Sequence, residues 1–190
     1  LQKNKSYKEL YFKYQLLQNQ KKVIKKQISQ LSIAGTAVDS YLEIGTPGTY
    51  IKTVNEVISL KKKRIVISDT FFAFDVIKTG SIKPYTNSFK LDYKPLSKNI
   101  GTDSVDLAVC FIGLHHAPSQ KLEPFIASIA RVLKPGGHFI LREHDCDNEE
   151  TKMLAHAAHT LFNAVTGESV QTECSEIRNF KALSVWKSLL

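Results

Sequence analysis

The ten residues Tyr41–Tyr50, YLEIGTPGTY, constrain the fold more than any other stretch of the chain. Tyr41, Leu42 and Ile44 favour a buried strand. Gly45, Pro47 and Gly48 break it, and Ile51, Val54, Val57 and Ile58 then recur at helical spacing. A strand that stops at a glycine turn and feeds a helix gathers backbone N–H groups and a helix N-terminus at one place, which suits an anionic or electron-rich ligand group. The full G-x-G-x-x-G is absent, because Pro47 stands where a middle glycine could be, and a tight turn in a purely structural α/β domain reads the same way.

Downstream residues repeat the alternation. Lys61–Arg64 reads as the basic C-terminus of the first helix, complementing its dipole. Arg64–Ser68 is a short strand ending at Asp69, residues 70–80 are helical and residues 81–88 form a loop. Phe89–Leu91 is a third strand ending at Asp92. Asp106–Ile112, DLAVCFI, is the continuous apolar run expected of a central parallel strand covered on both faces. It exits into Gly113-Leu114-His115-His116. Leu122–Leu133 has the period of an amphipathic helix, Lys134–Gly137 has turn chemistry, and His138–Arg142 is a fifth strand exiting into Glu143-His144-Asp145. This order predicts an α/β fold: a Rossmann-like, doubly wound, mainly parallel sheet with helices on both faces. Its strand exits deliver Gly45, Asp69, Asp92, His115, His116 and Glu143–Asp145 to one edge, where ligands of such sheets bind. A structural domain needs no acid or histidine at every exit.

The flanks differ in character. Residues 1–38 hold eight lysines against one acid, Glu9, so most of the net charge of +8 belongs to this segment. Leu10, Tyr14, Leu17, Lys21, Ile24, Ile28 and Leu31 follow helical spacing, which predicts one amphipathic helix from Ser6 to Leu31. Its lysine faces suit a membrane surface, a nucleic acid or a lid. A helix packed on the domain with solvated lysines is the favoured reading. Glu149–Val165 is a helix with His156 and His159 on adjacent turns, begun by Asp147 or Asn148 as cap; residues 166–176 are a polar turn region, and Phe180–Leu190 a short helix around Trp186. The organisation is thus a basic helix over 1–36, a core over 37–148 and a helical segment over 149–190. No apolar run approaches a membrane span. The sparse set Cys110, Cys146 and Cys174 fits a reducing, cytoplasmic setting better than a disulfide framework.

The pieces EIGTPG (43–48), ISD (67–69), KLD (90–92), DSVDLAVCFIGLHH (103–116) and RVLKPGGHFILREHD (131–145) resemble, in order and spacing, a class I S-adenosylmethionine-dependent methyltransferase of the small-molecule branch. The resemblance covers residues 40–145. It implies S-adenosyl-L-methionine as cofactor and S-adenosyl-L-homocysteine as product. By it Glu43, Gly45, Thr46, Pro47 and Gly48 would line the methionine and ribose side. Asp69 would accept from the ribose hydroxyls, and Asp92 from the adenine amino group with Tyr93 beside the base. Phe111, Ile112 and Gly113 would flank the cofactor from the fourth strand. The family's sheet is normally completed by two further strands after the fifth strand and the helical segment that follows it. None is legible before Leu190, and the chain starts with Leu, so it is expected to be a fragment.

Methyl transfer by in-line displacement needs a base only when the nucleophile starts protonated; His116, His144 and Asp145 are the candidates, as base or orienting groups. A zinc site from the His and Cys residues is disfavoured, because no C-x-x-C or H-x-x-x-H occurs, and no metal is expected. The fourth strand lacks the Asn/Asp-Pro-Pro-aromatic turn of nucleobase amino-methylating enzymes, and no Pro-Cys nucleophile appears. The acids Glu143, Asp145, Asp147, Glu149 and Glu150 would favour a cationic or neutral acceptor over a phosphate backbone. The leading expectation is methylation of a small molecule or a protein side chain. Two alternatives stand beside it: a degenerate domain serving as a cofactor-binding or protein-interaction scaffold, and an RNA methyltransferase gripping phosphates with the lysine helix. A nicotinamide dehydrogenase fits the post-strand pieces less well. The residues carry no signal for oligomeric state.

Overall fold

The computed structural model describes residues 7–69, 87–96, 100–111, 113–166 and 168–190. Helix α1 (Tyr7–Ile28) is followed by β1 (Ala37–Ile44), α2 (Ile51–Asn55), β2 (Ser59–Ser68), β3 (Ser88–Lys90) and β4 (Val105–Phe111). A 3-10 turn at Leu114–His116 leads to α3 (Ser119–Val132), β5 (Leu133–Arg142), α4 (Glu149–Thr166), α5 (Val170–Ser175) and α6 (Leu183–Ser188). The sheet has five strands in the order β3-β2-β1-β4-β5, every described pairing parallel, so all five carboxyl ends lie along one edge. This is a Rossmann-like fold.

Strand side chains alternate between two cores. Leu42, Ile44, Ile65, Ile67, Ala108 and Cys110 face α3 and α6, meeting Phe125, Ile129 and Trp186. Tyr41, Val66, Leu107, Val109 and Phe111 face the other way, meeting Ile24 and Ile28 of α1 and Ile51 and Val54 of α2. The sheet is therefore covered on both faces, as its unbroken apolar β4 requires. Among the described side chains of α1, those in the C-terminal half carry this packing, while Tyr11, Phe12 and Tyr14 are exposed.

Several boundaries differ from the sequence expectation. Lys61–Arg64 lies inside β2, not at a helix end: α2 stops at Asn55, whose side chain accepts the Leu60 N–H at 2.8 Å, and the lysines occupy the exposed start of the strand. The turn therefore feeds only five helical residues, too few for a strong N-terminal dipole. Lys134–Gly137 is a bulge within β5. Leu133 pairs with Val105 and His138 with Leu107, leaving the four intervening residues opposite Asp106, with Gly136 at φ +77°. The 166–176 region contains α5, capped by Ser169, whose hydroxyl accepts the Thr172 N–H. The expected helix over 70–80 and most of the loop after it fall outside the described residues.

Candidate active site

The turn after β1 is braced from beneath. Glu43 is 1% exposed, and its carboxyl accepts from the Tyr41 hydroxyl (2.8 Å), the Thr46 hydroxyl and the Tyr50 backbone N–H (3.2 Å). Burial pushes the carboxyl up, against those three donors and the charge of Lys21. Lys21 is the one polar member of the apolar stripe of α1; burial lowers its ammonium while Glu43 opposes that shift. Gly45 takes φ +92° and donates its N–H to Ile67 at 2.8 Å; Gly48 takes φ +85°. Thr46 and Pro47 are half-buried. Glu43 therefore holds the turn's own donors and does not project from it.

Gly45 faces Gly113 at the exit of β4. A Cβ on Gly45 would sit 3.9 Å from the Gly113 Cα, and one on Gly113 only 3.2 Å from the Cys110 sulfur. Bare backbone thus lines this part of the carboxyl edge, a cradle that any side chain at either position would begin to fill. Phe111 turns away from it, stacking edge-on against Tyr50 in the core (centroids 5.3 Å apart). Ile112 falls outside the described residues.

On the other side stand Asp69, exposed at the end of β2, and Asp92 with Tyr93 after β3. Tyr93 takes φ +54°, stacks edge-on against Phe125, and donates its hydroxyl to the Gly113 carbonyl at 2.9 Å. Burial raises its phenol. The Asp92 carboxylate accepts from the Lys94 ammonium (2.8 Å) and N–H (3.0 Å), and these contacts hold it below the ordinary carboxylate range.

Beyond Gly113 the exits of β4 and β5 are joined by Glu143. One carboxylate oxygen accepts the N–H groups of Gly113 (2.9 Å) and Leu114 (2.6 Å), and the other lies 2.7 Å from His115 Nδ1. Burial alone would raise this carboxyl; His115 and the two N–H donors outweigh it and hold it low. Around His115 stand the rings of His116, His144 and His159, with Phe180 beneath. Burial lowers all three neighbouring imidazoles, His159 to about 4, so they are neutral at neutral pH. His116 and His144 thus share one cluster. Asp145 is turned to another task, accepting the Leu183 N–H at 2.7 Å and so starting α6. Asn148 caps α4, accepting the Thr151 N–H. The sequence places His115 and Glu143 at strand exits without assigning them a role, and places His159 only on a helix. The adjacent pair His115-His116 at a strand exit was the available signal; the approach of His159 from a helix more than forty residues later was not legible. A cleft of about 570 Å³ lies at the opposite, amino end of β1 and β5, beside Asp106 and Lys134.

Residues 87–141 match the family model described as a Methyltransferase domain. No curated protein sequence matches the chain. Similar solved structures include the YcgJ protein of Bacillus subtilis, with 16% identity and TM-score 0.56 over 90% of this chain and 66% of that one. A SAM-dependent methyltransferase of Archaeoglobus fulgidus gives 13% identity and TM-score 0.59, over 89% and 66%. An O-methyltransferase family protein of Burkholderia thailandensis gives 15% and 0.61, over 94% and 51%. The chain spans about two thirds of the first two structures and half of the third.

Proposed function

We propose that this chain, whose fold is that of the class I S-adenosylmethionine-dependent methyltransferases, transfers a methyl group from S-adenosylmethionine to a small molecule or a protein side chain. The observation that carries the reading is the approach of Gly45 to Gly113, which leaves a cradle of bare backbone between β1 and β4, with carboxylates at the two exits on one side of it. The acceptor set fits the cofactor. Asp69 accepts from vicinal hydroxyls and Asp92 from an exocyclic amino group, with Tyr93 beside the base. The turn Gly45–Gly48 and Gly113 line the methionine side, and Glu43 positions that turn. Held there, S-adenosylmethionine would supply an electrophilic sulfonium methyl, with S-adenosylhomocysteine as the product.

The remaining chemistry belongs to the protein. Neutral His116 and His144 are able to orient an acceptor or take its proton. Asp145 contributes through the start of α6, fixing the chain just after Phe180, whose ring packs against His115, His144 and His159. No helix among the described residues is long and apolar enough to cross a membrane, and the three free cysteines are in keeping with a reducing cytoplasm. Incubation with methyl-labelled cofactor and a panel of small-molecule and protein acceptors tests the activity. Label transferred to one class, and lost on Asp69→Ala, supports it; a folded protein that binds cofactor but labels nothing points to the scaffold alternative.

Exposed Tyr11, Phe12 and Tyr14, followed by Lys22 and Lys26 on the same helix, favour RNA as a second acceptor class, since exposed rings stack on bases while lysines meet phosphates. RNA binding that weakens steeply with salt and is lost on removing residues 1–36 would select it.

A further inference from the structure

We propose that His115, His116 and His159 form a binding site for a first-row divalent metal ion of the zinc type. Two of the ligands come from the 3-10 turn at the exit of β4, and the third comes from the middle of α4. Their ligating nitrogens all lie within 4.8 Å of one another. A tetrahedral zinc with Zn–N bonds of about 2.0–2.1 Å needs nitrogens about 3.4 Å apart, so the rings must close by about 1.4 Å at most. The side chains of His116 and His159 are partly exposed, at 29% and 14%.

The second observation is the state of His115. Its ring is fully buried, and its Nε2 has no hydrogen-bond partner. Buried ring nitrogens are nearly always satisfied. Nδ1 is committed to Glu143 at 2.7 Å, and Glu143 is itself fixed by the N–H groups of Gly113 and Leu114. A carboxylate that holds one imidazole nitrogen and leaves the other to a metal is the usual outer support of a histidine ligand. His116 repeats the arrangement with a backbone acceptor, since its Nδ1 lies 2.8 Å from the Ile177 carbonyl oxygen. His144 Nε2 lies 3.3 Å from His159 Nε2. Glu176 stands 3.7 Å from His116 Nδ1 and 3.9 Å from His159 Nδ1, adding negative charge nearby although Arg178 shares it. An all-imidazole set selects zinc, cobalt, nickel or copper over magnesium or calcium. The absence of H-x-x-x-H does not exclude it, because the third ligand comes from a distant helix.

The site would clamp α4 to the carboxyl end of β4 whatever the acceptor is, and it competes with the role given to His116 in methyl transfer. With metal bound, His116 serves as a ligand and not as a base. The test is titration of the chelator-treated full chain with zinc by calorimetry and with cobalt by visible absorption. Expected are one ion per chain, cobalt ligand-field bands, and affinity about tenfold or more weaker in His116→Ala and His159→Ala. His156→Ala, on the same helix but outside the cluster, should bind as wild type. Far-UV circular dichroism establishes folding, and His159→Gln replaces any variant that misfolds. No uptake of zinc or cobalt by the folded wild type, or uptake unchanged in both His116 and His159 variants, would overturn the site.

Discussion

Glu143 and His115 meet at 2.7 Å with side chains 1% and 0% exposed, so a carboxylate and an imidazole from neighbouring strand exits are paired out of reach of water. The same carboxylate ties the backbone of Gly113 and Leu114 to β5. Removing one partner of a buried pair leaves the other uncompensated. Glu143→Ala is expected to destabilise the chain by about 3–5 kcal/mol. Glu143→Gln, which still accepts those N–H groups, should cost less. Urea unfolding of the two variants checks the order.

Gly45 works because its φ of +92° carries no Cβ. Gly45→Ala should cost about 1–2 kcal/mol from the left-handed backbone. It should also weaken S-adenosylhomocysteine binding, by placing a methyl group toward Gly113. Calorimetry and thermal melting on one sample separate the two effects.

Glu43 gives a pH dependence of definite sign. Burial raises its carboxyl in the fold, while in the unfolded chain it titrates in the ordinary range. Its contribution to stability is therefore fully present below the unfolded value and is lost as pH rises through the folded one. Glu43→Gln keeps the acceptor for Thr46 and Tyr50 but cannot ionise. Melting temperatures measured from acid to neutral pH should fall more in wild type than in Glu43→Gln. Parallel profiles would show that Glu43 ionises freely in place.

Trp186 ties α6 into the core beside Leu114 and Phe125 and is 1% exposed. Trp186→Ala should cost about 3–5 kcal/mol, read as a lower midpoint of urea unfolding. An unchanged midpoint would mean that α6 stands apart from the cooperative core.

The sheet was legible in the sequence because its strands are apolar runs ended by glycine or acid, and the run at Asp106–Ile112 required cover on both faces. Elsewhere strand pairing overrules local chemistry. Lys61–Lys63 look like a helix end but sit on the exposed start of β2, and Pro135-Gly136 look like a free turn but are held within β5. The candidate site was legible at each strand exit separately. Its assembly was not, because the meeting of His159 with His115, and of Glu143 with the β4 backbone, depends on tertiary packing that periodicity does not encode.

The most direct measurement is calorimetric titration of S-adenosylmethionine and S-adenosylhomocysteine into the folded protein, beside Asp69→Ala and Asp92→Ala. The expected result is binding of both ligands in the micromolar range, weakened about tenfold or more by each substitution. A folded protein that binds neither ligand, or binds them equally well without either carboxylate, would contradict it.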